Sequence, residues 1–135
     1  VCHPADGDRI EAGQVAVAPG DGHLRVSGDR RGRLTLSVVD GDPINGVRPS
    51  IDVTMRSAAD AVSGPLTGVV LTGMGSDGAA GAEAIADAGG AVLAQDEATS
   101  AVYGMPERAS ETGCVDAAVP AGDVPESIVN TFTNR

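Results

Sequence analysis

The stretch Val69-Val70-Leu71-Thr72-Gly73-Met74-Gly75-Ser76-Asp77-Gly78-Ala79-Ala80-Gly81 reads as a short apolar strand, a glycine turn and the opening of an alanine-rich helix. A strand that enters a helix through glycines places backbone N–H groups and turn side chains at the carboxyl edge of a sheet. Open α/β sheets form their ligand crevice at that edge. Asp77 is the one ionisable residue of the turn. Beyond it, Ala79–Ala88 gives a helix, Gly89-Gly90 a stop, and Ala91–Ala94 a second strand. A crossover this short makes the strands 67–72 and 91–94 parallel neighbours.

Working outward, Val1–Glu11 is polar, with a turn at Asp6-Gly7-Asp8, and Gln14–Ala18 reads as a short strand closed by Pro19-Gly20-Asp21-Gly22. Leu24–Ser27 and Arg33–Val38 alternate apolar with polar residues around Gly28–Gly32, which predicts a β-hairpin. After a loop over 40–48, Ser50 is placed to cap a helix. That helix carries Ile51, Met55, Ala58, Ala59 and Val62 on one face and stops before Gly64-Pro65. Downstream of the βαβ unit, Gln95–Gly104 is a polar connection and Pro106–Glu111 a short helix. Val115–Val119 is a strand, and Asp123–Thr133 a last helix with Pro125 in its first turn. The expected class is α/β, a mostly parallel, doubly wound sheet with flanking helices and an added antiparallel hairpin, in a single domain over 1–135.

Of the 135 residues 41% are hydrophobic, but Phe132 and Tyr103 are the only aromatics, so the core has to be built from Val, Ala, Leu and Ile. The formal charge of −10 argues against nucleic acid or an anionic membrane as partner, since both need a basic face. All nine basic residues are arginines, and an acidic, lysine-free surface suits concentrated salt, where self-repulsion is screened. Cys2 and Cys114 lie far apart without zinc spacing, as expected of free thiols in a reducing compartment. No metal and no cofactor is expected. No apolar run is long enough for a membrane span, and the first residues do not read as a signal peptide, so a cytoplasmic location is expected.

Gly73-Met74-Gly75-Ser76-Asp77-Gly78 also matches G-x-G-x-x-G, with Asp96 about twenty residues on, where a dinucleotide site would put its ribose-binding acid. Asp77 opposes that reading, because a pyrophosphate would compete with its carboxylate for the same N–H donors. Two other readings remain: Asp77 as a helix N-cap in a turn that is only structural, and Asp77 as an ionised carboxylate that orients a catalytic histidine. Asp52, in a first helical turn, is expected to serve the helix dipole and solvation. Asp96 and Glu97 are expected to finish a strand.

The stretch Leu71–Ala79 resembles the signature of the chemotaxis protein-glutamate methylesterases, which also act as protein-glutamine deamidases. Further segments fall in the family's order: Asp6-Gly7-Asp8 with Pro19-Gly20-Asp21 and His23-Leu24, then Arg48-Pro49-Ser50-Ile51-Asp52-Val53, then Gln95-Asp96-Glu97 with Tyr103-Gly104-Met105-Pro106. The resemblance implies hydrolysis of glutamyl methyl esters on chemoreceptors, releasing methanol, by a Ser–His–Asp triad on an α/β sheet. Asp77 matches the triad acid. Met74, with Gly73 and Gly75, matches the oxyanion region, and His23 is a candidate for the substrate cleft. The implied partners are methyl-accepting chemotaxis receptors and, in the full-length protein, an upstream receiver domain phosphorylated by a chemotaxis kinase. The family's Ser-x-Gly-Gly nucleophile turn and Gln-His pair have no match here, and the sequence opens on Val1. It therefore reads as the second part of a catalytic domain, expected to be inactive alone and to aggregate or dimerise through unpaired sheet edges.

Overall fold

The computed structural model describes residues 1–133 and contains two three-stranded sheets. The first is antiparallel, in the order β1 (Arg9–Ile10), β3 (Leu34–Val39), β2 (His23–Gly28). The hairpin expected from the alternating segments is present, with Val26 opposite Leu36 and Leu24 opposite Val38. It forms a sheet of its own and, among the described residues, shares no ladder with the parallel one.

The reason lies in α1 (Ile51–Ala61), which covers the open edge of β2. Thr54 Oγ1 donates to the Leu24 carbonyl at 2.7 Å, and the Val26 N–H donates to Ser57 Oγ at 2.8 Å. Side-chain hydroxyls thus stand in for a neighbouring strand, satisfying edge groups that would otherwise invite pairing. Gly28 permits the approach, since a Cβ there would lie 2.6 Å from the Ala61 carbonyl oxygen.

The second sheet is parallel, in the order β4 (Thr67–Val70), β5 (Ala91–Gln95), β6 (Ala117–Val119), with Val70 beside Ala94 and Gln95 beside Val119. α2 (Ala79–Asp87) makes the β4–β5 crossover, α3 (Gly104–Glu111) the β5–β6 one, and a 3-10 turn (Ala121–Asp123) leads into α4 (Val124–Thr133). The buried residues Ala82, Ile85 and Val92 pack with Met55, Ala59, Leu66 and Val115, so α1 contributes to this core as well as covering the hairpin.

Several expected boundaries shift. Gln14–Ala18 is not a strand: Ala16 makes one isolated bridge to Cys2, because residues 1–4 offer only that residue as partner, and Val15 and Val17 stay exposed. The pair Arg9–Ile10, too short to show periodicity, does join β3. β4 ends at Val70, two residues early, because the Thr72 N–H turns to the side chain of Gln95 at 2.9 Å. β6 begins at Ala117 since the Asp116 carboxylate, not a main-chain carbonyl, takes the Val92 N–H at 2.8 Å.

Candidate functional site

The glycine turn leaves β4 at the carboxyl edge of the parallel sheet, and its three glycines have separate reasons. Gly75 and Gly78 have φ of +104° and +103°, a region that side chains rarely adopt. At Gly73 a Cβ would collide with the sulfur of Met105. The turn is tied to the 95–105 connection on its other side. Thr72 Oγ1 donates to the Val102 carbonyl and accepts from the Val102 N–H, Gly73 N–H donates to the same carbonyl at 3.0 Å, and Met105 N–H donates to the Gly73 carbonyl at 2.8 Å.

Asp77 is buried, 6% exposed. It is not the cap of its own helix: that position belongs to Gly78, which has no side chain. Its carboxylate instead crosses to the start of α1. Oδ1 accepts from Ser50 Oγ at 2.7 Å and Asp52 N–H at 3.1 Å, and Oδ2 accepts from Ile51 N–H at 2.8 Å. A carboxylate has about four acceptor positions, so these donors leave one on Oδ2. The site also places an anion against the first amides of a helix, where the helix dipole favours it. Ser50 is the N-cap residue of α1, as expected, yet its hydroxyl makes no cap bond to its own helix and is spent on Asp77.

Asp52 corrects the expectation of a solvated first-turn acid, for it is 2% exposed. Its Oδ1 accepts from Gly78 N–H at 2.9 Å and Gly81 N–H at 2.8 Å, so it caps α2 as Asp77 caps α1. The sequence holds a signal for this that composition does not reveal: α2 has neither a capping side chain nor an acid in its first turn, so its amides need an acceptor from elsewhere. The same bonds bear on a dinucleotide at this turn, because the helix amides a pyrophosphate would use already face a carboxylate.

The remaining positions divide around this pair. Met74 is 81% exposed, and among the described residues no hydrogen-bond partner is found for its N–H. His23 is buried, its Nδ1 accepting from Ser50 N–H at 3.1 Å and its Nε2 lying 2.9 Å from the Asp42 carbonyl. That partner set assigns the proton to Nε2 and links the ring to Asp77 through Ser50. It leaves no ring nitrogen free. Asp96 closes a local turn, its Oδ1 accepting from Thr99 N–H and Thr99 Oγ1. Among the described residues no cluster of His, Cys, Asp and Glu suits a metal ion, and no helix is long and apolar enough to cross a membrane.

The family model described as CheB methylesterase matches residues 1–128. A protein-glutamate methylesterase/protein-glutamine glutaminase of Haloarcula marismortui is 52% identical over 130 residues, covering 96% of this chain and 35% of that protein. One of Halobacterium salinarum is 56% identical over 127 residues, covering 94% of this chain and 37% of that protein. This chain therefore spans a little over a third of the length of these relatives, and their haloarchaeal origin accords with the acidic, lysine-free composition. The crystal structure of the Thermotoga maritima CheB methylesterase catalytic domain superposes with a TM-score of 0.90 at 38% identity, covering 95% of this chain and 67% of that one.

Proposed function

The chain belongs to the CheB methylesterase family, and from that premise we propose that it is part of a protein-glutamate methylesterase and carries the acid of its Ser–His–Asp triad, Asp77. The observation that carries this reading is the state of the Asp77 carboxylate: buried, fixed by three donors from the start of α1, and left with one acceptor position on Oδ2. A triad acid needs that combination. It must not rotate, and it must keep one lone pair to accept from an imidazole N–H, fixing the tautomer and stabilising the imidazolium that forms as the serine is deprotonated. The serine and histidine are supplied by the part of the catalytic domain that this chain does not contain.

The oxyanion of the tetrahedral intermediate takes a hydrogen bond from the Met74 N–H, which has no partner among the described residues, whereas the Thr72 and Gly73 N–H groups before it are bound. Collapse of that intermediate expels methanol and leaves an acyl-enzyme, whose hydrolysis by water returns a glutamate to the receptor; a glutamine amide attacked in the same way loses ammonia in the first step. The substrates are methyl-accepting chemotaxis receptors, the enzyme is cytoplasmic, and in the full-length protein a receiver domain phosphorylated by a chemotaxis kinase precedes the catalytic domain.

The test is methanol release from methylated receptor in molar salt, by this chain and by the chain extended upstream to the length of its relatives. Only the extended protein is expected to be active, with Asp77→Asn lowering kcat on the order of 10⁴-fold. An Asp77→Asn protein that turns over at the unmodified rate would remove Asp77 from the triad.

A further inference from the structure

The two buried acids Asp52 and Asp77 face each other across the helix pair α1–α2, and each binds the first amides of the other's helix. We propose that Asp52 is a positioning residue for Asp77: it fixes the backbone from which the Asp77 carboxylate is aimed. This rests on Asp77 being the triad acid and adds a residue to that site.

The geometry that carries it is the identity of the two amides. Gly78 N–H belongs to the peptide that joins Asp77 to Gly78, so a bond at 2.9 Å to Asp52 Oδ1 fixes the plane of that peptide and with it ψ of Asp77. Gly81 N–H, at 2.8 Å to the same oxygen, fixes the first turn of α2 against α1. In an ordinary capping box, two side chains of one helix serve its N-cap and N3 amides. Here both positions are glycines, Gly78 and Gly81, and one carboxylate from the neighbouring helix serves both amides. Gly78, at φ +103°, has no conformational preference of its own to hold the peptide once that carboxylate is removed. The aim of Asp77 then depends on its own bonds to α1 alone, and a misplacement of about 1 Å in a catalytic array can cost on the order of 10²-fold in rate.

The experiment uses the chain extended upstream to the length of its relatives, with methylated receptor as substrate, and compares Asp52→Ala, Asp52→Asn and Asp77→Asn. Asp52→Asn keeps an oxygen for both amides and is expected to stay within a few-fold of the unmodified kcat. Asp52→Ala is expected to lower kcat by roughly 10- to 100-fold per folded molecule at unchanged KM, with faster hydrogen exchange at the Gly78 and Gly81 amides. If Asp52→Ala does not fold, Asp52→Ser takes its place with the same expectation, since a hydroxyl is too short to serve both amides. Unmodified kcat in a folded Asp52→Ala or Asp52→Ser protein, or a loss that only follows the unfolded fraction, overturns the proposal while Asp77→Asn remains inactive. Unmodified kcat in Asp77→Asn instead overturns the triad reading, and the role of Asp52 with it.

Discussion

Gly81→Ala sets two effects of similar size against each other, and the structure decides between them. Gly81 lies inside α2, where alanine is favoured over glycine by about 1 kcal/mol. On propensity alone the substitution would stabilise the chain. The Cβ it adds, however, would stand 2.7 Å from Met55 Cβ, 2.7 Å from Met55 Sδ and 3.2 Å from Asp52 Oδ1. The sulfur can swing away, but Met55 Cβ is fixed to the α1 backbone, so the two helices have to part by several tenths of an ångström or more. Overpacking of this kind costs about 1–3 kcal/mol. Parting the helices also stretches the bond from Gly81 N–H to Asp52 Oδ1, and leaving a buried partner unsatisfied costs about 1–3 kcal/mol more. The expected net loss is roughly 3 kcal/mol, or about 10 °C in Tm for a chain of this size. The assay is thermal unfolding followed by far-ultraviolet circular dichroism in molar salt. Gly122→Ala serves as control, because nothing lies within 4 Å of its added Cβ and no loss is expected there. A Tm for Gly81→Ala equal to or above that of the unmodified chain would refute the close packing of α1 on α2.

Three further outcomes are expected. In the extended enzyme, Met74→Pro removes the N–H assigned to the oxyanion and should lower kcat by about 10²–10³-fold, whereas Met74→Ala keeps the donor and should stay within a few-fold; equal losses in both would move the role to the side chain. Thr72→Val keeps the shape but leaves the Val102 N–H without its hydroxyl acceptor, which should cost about 1 kcal/mol in the same melting assay, and an unchanged Tm would count against the clasp on the turn. Asp29 has its carboxyl held below the ordinary value of about 3.9, first by the Arg33 backbone N–H and second by the Arg33 side chain. A depressed value means that its contribution is present above the unfolded value and lost as pH falls through the folded one. Arg33→Ala, which keeps the backbone donor, should restore the carbon-13 NMR titration midpoint only in part; a midpoint at or above the ordinary value in the unmodified chain would dissolve the bond.

The βαβ unit and the hairpin were legible because each is a local pattern: glycine stops around an alanine-rich helix, and alternation across a turn. The strand over Gln14–Ala18 carried the same local pattern and failed, because a strand is a property of two segments and its partner, Cys2, supplied a single bridge. The importance of Asp77 could be read from its place in the glycine turn, and the family resemblance gave it a role. Its partners could not be read, since Ser50, Ile51 and Asp52 are about 25 residues away in sequence. Asp52 was misjudged for the same reason.

A first-turn acid reads as a helix's own dipole partner, and that inference holds when the helix end faces water. Here two helix N-termini face each other, and the acid of each is the nearer acceptor for the amides of the other. The exchange has a physical rationale in this composition. Glycines at the N-cap and N3 of α2 let α1 come close enough for contact at Gly81, but they strip α2 of any cap of its own. A side chain able to accept two amide bonds must then arrive from α1, and an ionised carboxylate does so with the charge that the α2 dipole favours. The close approach therefore requires Asp52, and Asp52 in turn fixes the peptide that carries Asp77. The same glycines that make the turn resemble a phosphate loop also hand the Gly78 and Gly81 amides to the Asp52 carboxylate, whose charge opposes a phosphate there.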